Sequence, residues 1–239
     1  MDRTLNGKTY WLVGASFGIG AALARELDKR GVGLVLSGRS GERLQEVTTT
    51  LSKPARIILC DVTDSQSVAR VTSELGEIDG VIYMAGDYEP MTAAEWDSER
   101  ALRIANVNFN GALRVFGGVV PGFAKRDSGH IVVVGSLAGF TGLPGAIGYG
   151  SSKAAIMQLA KDMRADLKKT GVRVQLVNPG FVDTRLTRKN AFRMPFIMTD
   201  EKAAKIIADH MGRRRFSRSF PSVFSWVFRL LGIRDLLRA

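Results

Sequence analysis

The sequence predicts an α/β protein, built on a doubly wound parallel sheet and folded as a single domain. Three observations carry this. Through the first 180 residues, short apolar or β-branched runs alternate with longer stretches of helical periodicity, the pattern of strand–helix–strand units. The runs are near-continuously apolar, as parallel strands covered on both faces must be. The chain has 239 residues, a length such folds occupy as one unit, and no repeat, low-complexity tract or linker breaks its body. Right-handed crossovers then wind helices onto both faces.

The elements follow in order. Residues 10–13 (Tyr-Trp-Leu-Val) form a first strand that ends at Gly14. The next helix turns Ala21, Ala22, Leu23 and Leu27 inward and Arg25, Lys29 and Arg30 outward, and Gly31 stops it. Residues 34–36 are the second strand, and Leu44, Val47 and Leu51 mark a helix. A third strand covers 56–60, followed by a helix with Val68, Val71 and Leu75, and a fourth covers 81–84. Residues 99–125 read as one long helical stretch, 131–134 as a strand, 149–169 as a helix and 172–177 as the last strand.

Composition bounds the function. Hydrophobic residues make up 45% and charged residues 24%, which excludes a disordered or fibrous chain. The single cysteine, Cys60, excludes an intramolecular disulfide framework, fits a reducing compartment and reads as a core strand residue. Residues 1–8 are polar, and no apolar run reaches the roughly 20 residues of a spanning helix, so the expected location is cytoplasmic. The net charge of +11 is uneven. Residues 1–184 hold 21 basic and 19 acidic side chains, a net +2, whereas residues 185–239 hold 13 and 4, a net +9. His130 and His210 read as surface residues.

The first strand runs into Gly14-Ala15-Ser16-Phe17-Gly18-Ile19-Gly20 and then a helix. Gly14 permits a tight turn, Gly18 lets a phosphate approach the backbone, and Gly20 lets helix pack on strand. The helix N-terminus offers N–H groups and a positive dipole end to a pyrophosphate. A plain strand-to-helix turn is the competing explanation, and the flanking elements favour the nucleotide. Ser16 and Ile19 join the three glycines as candidate cofactor contacts. An acid beyond the second strand would bind the adenosine ribose; here the turn carries Gly38-Arg39 instead, and a guanidinium suits a 2′-phosphate.

Tyr149 and Lys153, at i and i+4 of a helix, share one face. An ammonium beside a phenol favours the phenolate and makes the tyrosine a candidate general acid or base. Ser136 follows the strand at 131–134, at a carboxyl end where such sheets place ligands. Asn108, inside the long helical stretch, goes against helix propensity and invites a reason.

With these residues on the page, the chain resembles the short-chain dehydrogenase/reductase family over about residues 5–211. The glycine loop, Asp61-Val62, Ala85-Gly86, Asn108, Ser136, Tyr149, Lys153 and Asn178-Pro179-Gly180 stand in the family's order and spacing. The resemblance implies a Rossmann-type fold and hydride transfer with NADP(H), or alternatively NAD(H), with no metal. It implies that Tyr149 exchanges a proton with the substrate oxygen and that Lys153 lowers its pKa and binds the nicotinamide ribose. It implies that Ser136 polarises the carbonyl and that Asn108 holds a water in a proton relay. Asp61 and Val62 would contact the adenine, Ala85 and Gly86 the adenosine ribose, and Pro179, Gly180, Val182 and Thr184 the nicotinamide and pyrophosphate. Two places depart from the family pattern: Val13 stands where threonine is usual, and Tyr83-Met84 where two asparagines are.

The segment 185–199 takes the place of the family's substrate lid. It mixes Phe192, Met194, Phe196, Ile197 and Met198 with Arg185, Arg188, Lys189 and Arg193, suggesting an apolar substrate, with an anionic group as one option. The dinucleotide-binding and catalytic domain is placed at 1–211. Residues 212–239 form a basic, apolar extension, read as an amphipathic helix from Pro221 onward. That helix can pack on its own domain, on a second subunit of a homo-oligomer, or at a membrane interface as a peripheral contact; no nucleic-acid motif is present. The sequence thus points to an NADP-preferring carbonyl or alcohol oxidoreductase. The alternatives are an NAD-dependent alcohol dehydrogenase and an idle nucleotide-binding scaffold recruited to membranes.

Overall fold

A computed structural model describes residues 5–189, 194–222 and 225–226. Seven strands form one sheet: β1 (Thr9–Val13), β2 (Gly33–Ser37), β3 (Arg56–Ile57), β4 (Gly80–Tyr83), β5 (Gly129–Val134), β6 (Val172–Pro179) and β7 (Ser217–Phe220). The order is β3-β2-β1-β4-β5-β6-β7, and every pairing is parallel. Among the described residues seven α-helices flank it: α1 (Gly18–Lys29), α2 (Gly41–Thr48), α3 (Ser65–Glu74), α4 (Ser98–Ala105), α5 (Gly111–Lys125), α6 (Ile147–Asp166) and α7 (Asp200–Met211).

Strand alternation divides the core in two. Trp11 and Val13 of β1, with Ile131 and Val133 of β5, meet α3, α5 and α6 through Val71, Phe116 and Ile156. Tyr10 and Leu12, with Val132 and Val134, meet α1, α2 and α7 through Leu23, Leu44 and Ile207. This is the expected doubly wound, single-domain architecture. Its strand order reverses between β1 and β4, and ligands of such sheets enter at the carboxyl ends of strands at that point.

Four expectations need correction. The third strand is shorter than 56–60, although Ile58 N–H to Leu36 and Cys60 N–H to Gly38 continue its pairing. Ser217–Phe220, placed beyond the catalytic domain by the sequence, is a strand of the sheet. Ser-Arg-Ser-Phe carries no apolar run, and only its pairing with residues 176–179 reveals it. His130 and His210 are buried. His130 lies on a strand covered from both sides, and its ring meets Tyr10 Oη of β1 at 2.7 Å and Gln175 Oε1 of the neighbouring β6 at 2.8 Å. His210 is on the inner face of α7, with Nε2 3.4 Å from the Phe216 carbonyl. The residues expected to continue the C-terminal helix from 227 onward, with Val223, Phe224, Phe192 and Arg193, lie outside the described residues.

Candidate active site

At the reversal point, β1 ends in Gly14 at φ +92° and the loop returns through Gly18 at φ +50° into α1. Both values lie in the left-handed region, where glycine has no steric penalty. Space is equally restrictive: a Cβ on Gly14 would lie 2.6 Å from Ala85 N and one on Gly18 would lie 2.9 Å from Thr184 Cγ2. A Cβ on Gly20 would overlap the Gly14 carbonyl. Phe17 precedes α1 and no side chain caps the first turn, so the helix presents its N–H groups to the cleft.

That cleft encloses about 690 Å³. Gly14, Ser16, Gly18, Ile19 and Gly20 line one wall, Arg39, Asp61 and Val62 another, with Ala85, Gly86 and Thr184 completing it. Three expected contacts are not in its lining. Pro179 pairs with Phe220, Gly180 N–H donates to the Phe220 carbonyl at 2.7 Å, and Val182 is buried in the core beside α1 and α7. At the β2 end, Ser16 packs against Gly38, which brings the glycine loop beside Arg39. Burial raises the Asp61 carboxyl, but two hydrogen bonds from Thr63 and the charges of Arg39 and Arg114 outweigh it and hold the pKa below the usual range.

Sequence reasoning missed a cationic stack on this rim. The Arg185 guanidinium lies 4.3 Å over the Phe17 ring, and Arg43 lies 5.6 Å from the same ring. Both arginines line the cleft. The only signal was an exposed aromatic within a glycine loop.

The polar cluster lies behind Gly86; Asn108, Ser136, Tyr149 and Lys153 are not themselves in the lining of the cleft. A Cβ on Gly86 would be 3.6 Å from Asn108 Oδ1 and 3.9 Å from Lys153 Nζ. Asn108 sits in a π turn, Asn106–Asn110, inserted between α4 and α5. Its Oδ1 accepts from Asp87 N–H at 2.7 Å, and its Nδ2 donates to the Asp87 carbonyl at 3.0 Å and to Ser152 Oγ at 2.9 Å. Ser152 in turn donates to the Tyr149 carbonyl at 2.8 Å. Sequence reasoning passed over Ser152, although it lies between Tyr149 and Lys153. Ser136 caps a short turn after β5, its Oγ accepting from Ala138 N–H at 3.1 Å, and it hydrogen-bonds the Tyr149 phenol. Lys153 Nζ donates to the Val134 carbonyl at 3.1 Å and lies 5.7 Å from the Tyr149 ring centroid. Tyr88 meets the same ring edge-on at 5.0 Å.

The electrostatics differ from the simple pairing. Burial holds the Tyr149 phenol above its ordinary value, against the lowering effect of the Ser136 bond. Burial also pushes the Lys153 ammonium down to about 8. The Lys153 charge therefore does not by itself bring Tyr149 toward neutrality.

Arg185 and Arg188 face the cleft, whereas Phe196, Ile197 and Met198 line a different cavity, bounded by α7 and β7.

A glycine cradle at the reversal point of a parallel sheet, with a buried lysine and a tyrosine close behind its wall, defines a dinucleotide-dependent oxidoreductase. Known proteins agree. A family profile described as short chain dehydrogenase matches residues 8–193. An uncharacterized oxidoreductase of Myxococcus xanthus is 34% identical over 221 residues, which cover 90% of this chain and 87% of that one. A short-chain dehydrogenase from Sphingobium yanoikuyae in complex with NADPH superposes with a TM-score of 0.85 at 26% identity, over 97% of this chain and 95% of that one. A short chain dehydrogenase/reductase from Burkholderia phymatum in complex with NAD shares the fold, with a TM-score of 0.88 at 21% identity, over 98% and 96% of the two chains. The chain belongs to the short-chain dehydrogenase/reductase family.

Proposed function

We propose that the protein moves a hydride between NADP(H) and the carbonyl or hydroxyl carbon of a small molecule that carries an apolar group beside that carbon. The glycine-lined cleft fits a dinucleotide: the loop leaves room for phosphate against the backbone, and Arg39, Asp61 and Val62 stand where an adenosine would end. Bound nicotinamide supplies the hydride. The chain's own residues handle the proton and the oxygen. In reduction, the Tyr149 phenol gives its proton to the carbonyl oxygen as the carbon takes the hydride, leaving a hydroxyl. Ser136 donates a hydrogen bond to that oxygen and orients it against Tyr149. The Lys153 ammonium stabilises the phenolate left behind and holds ribose hydroxyls. Asn108, beside Gly86 and Lys153, fixes the end of the route by which a proton returns. In oxidation the same groups act in reverse.

The observation that carries the proposal is the meeting of Ser136, Tyr149, Lys153 and Asn108 in one cluster beside Gly86, a residue of the cleft wall. Tyr88, edge-on to Tyr149, supports an apolar neighbour for the reacting carbon. The preference for NADP(H) is supported by Arg39 and Arg43 in the cleft and by the lack of a carboxylate in the Gly38-Arg39-Ser40 turn after β2. A guanidinium on a phosphate contributes about 1.5–3 kcal/mol. Arg39→Ala is therefore expected to weaken NADPH binding roughly 10- to 100-fold and to leave NADH unchanged, measured by fluorescence titration. Equal NADPH and NADH affinities, untouched by Arg39→Ala, would favour the NAD-dependent alternative. No NADPH consumption across ketones, aldehydes and acyl thioesters would favour an idle scaffold.

A further inference from the structure

Four arginines line the cofactor cleft, and three of them are accounted for. Arg188 pairs with Asp183 at 3.0 Å and Arg43 with Glu46 at 2.9 Å. The Arg39 charge bears on Asp61 at the adenosine end. Arg185 is different. Among the described residues it forms no ion pair, and its guanidinium rests 4.3 Å from the centroid of the Phe17 ring. Phe17 is 42% exposed and belongs to neither half of the hydrophobic core. An aromatic ring kept in water at the turn of a glycine loop, with a guanidinium on it, is a support for that charge.

The backbone that carries Arg185 is fixed. Thr184 packs on the start of α1: a Cβ on Gly18 would lie 2.9 Å from Thr184 Cγ2. The Thr184 N–H donates to Thr187 Oγ1 at 3.0 Å, and that hydroxyl donates to the Val182 carbonyl at 2.6 Å. Two residues on, Lys189 Nζ donates to the Tyr88 carbonyl at 2.8 Å and ties this turn to the loop after β4. The chain beyond β6 thus passes over the start of α1 and delivers Arg185 where that helix opens into the cleft. α1 has no acidic residue in its first turn and no side chain capping it. Helix end and guanidinium therefore offer positive charge to one place. If the cleft holds a dinucleotide, as proposed above, the anion at that place is the pyrophosphate, since the 2′-phosphate lies at the Arg39 end. We propose that Arg185 binds the pyrophosphate of the cofactor, held ready for it by the Phe17 ring. Arg185 then serves the cofactor and not the substrate, and the cleft has two anchors of different kinds. Arg39 meets a group that only NADPH carries, whereas Arg185 meets one that NADPH and NADH share. Phe17 is a positioning residue that acts through Arg185.

The test is ligand binding by the full chain. NADPH and NADH are titrated by fluorescence, and ADP-ribose, which keeps the pyrophosphate and lacks the nicotinamide, by calorimetry. Arg185→Gln is expected to weaken all three about tenfold, the worth of one charge-assisted hydrogen bond, and Arg185→Lys to recover part of the loss. Phe17→Leu keeps an apolar side chain but removes the π face, and should weaken all three about two- to fivefold. The double variant should lose no more than Arg185→Gln alone, because the ring acts only through the guanidinium. The thermal midpoint without ligand should stay that of the unmodified chain. Losses that add in the double variant overturn the role of Phe17. A loss confined to NADPH moves Arg185 to the 2′-phosphate and overturns the proposal. So does a raised substrate KM with cofactor affinity untouched, which returns Arg185 to the substrate lid. Binding of all three ligands that Arg185→Gln leaves unaltered overturns the proposal alone. No binding of any of them by the unmodified chain overturns it together with the dinucleotide reading on which it rests.

Discussion

Asn108 uses its whole side-chain amide, accepting from Asp87 N–H and donating to the Asp87 carbonyl and to Ser152. An asparagine in a helix is otherwise unfavourable, so the oddity visible in the sequence marked a real constraint, while its partner Ser152 carried no such mark. Ser152 is a positioning residue: Ser152→Ala should lower kcat up to about tenfold, the worth of one hydrogen bond, with the KM for NADPH unchanged and Thr restoring part of the loss. Tyr149→Phe removes the proton donor itself. It is expected to lower kcat by about 10²–10⁴-fold while cofactor affinity, read by titration, holds. The pH dependence should separate the two titrating groups. Lys153 is charged below about pH 8 and neutral above it, so the rate of carbonyl reduction should fall above about pH 8. Tyr149, which burial holds above its ordinary value, stays protonated through that range. A first alkaline limb only above the ordinary tyrosine range would shift the assignment from Lys153 to Tyr149.

Helices and strands with regular apolar spacing were legible because burial on a covered sheet leaves a period in the sequence. The strands at 10–13, 34–36, 81–84, 131–134 and 172–177 all lie in the sheet for that reason. β7 was not legible, because a polar edge strand is defined by its hydrogen bonds to β6 and not by its side chains. The buried histidines were missed because their cover comes from elements distant in sequence: Tyr10 and Gln175 for His130, and the Phe216 turn for His210. The π turn was also invisible, since one inserted residue hardly disturbs an apolar period. The candidate site was legible where its residues sit at carboxyl ends of strands, as with Gly14, Gly86 and Ser136. The stack of Arg185 and Arg43 on Phe17 joins three separate segments and could only be seen in space. Gly14→Ala tests the loop as an element. It forces a Cβ against the Ala85 backbone at a positive φ and should cost about 2 kcal/mol or more, lowering Tm by about 5 °C or more. NADPH should then no longer raise Tm in a thermal-shift titration.

At the scale of the molecule, the charge excess and the buried His210 make acid the weak side of the fold. Burial pushes His210 down to about 4; the Phe216 carbonyl opposes this, and Arg218, Arg215 and Arg173 add to it. The unfolded chain takes up this proton from about pH 6.5 downward, the folded chain only near 4. Stability is therefore lost as pH falls through that window, by about 2 kcal/mol at pH 5. Urea unfolding at pH 7 and pH 5 checks this: His210→Phe should shrink the difference between the two midpoints, and an unchanged difference would place the acid sensitivity elsewhere. The all-parallel sheet has a consequence of another kind. Gly14 is made early and its facing wall, Ala85, only after three strand–helix crossovers, while Thr184 arrives later still, beyond β6. On the ribosome, the emerging chain therefore has no dinucleotide site to offer until most of it has been synthesised. Retaining the nucleotide becomes a property that separates finished chains from interrupted ones.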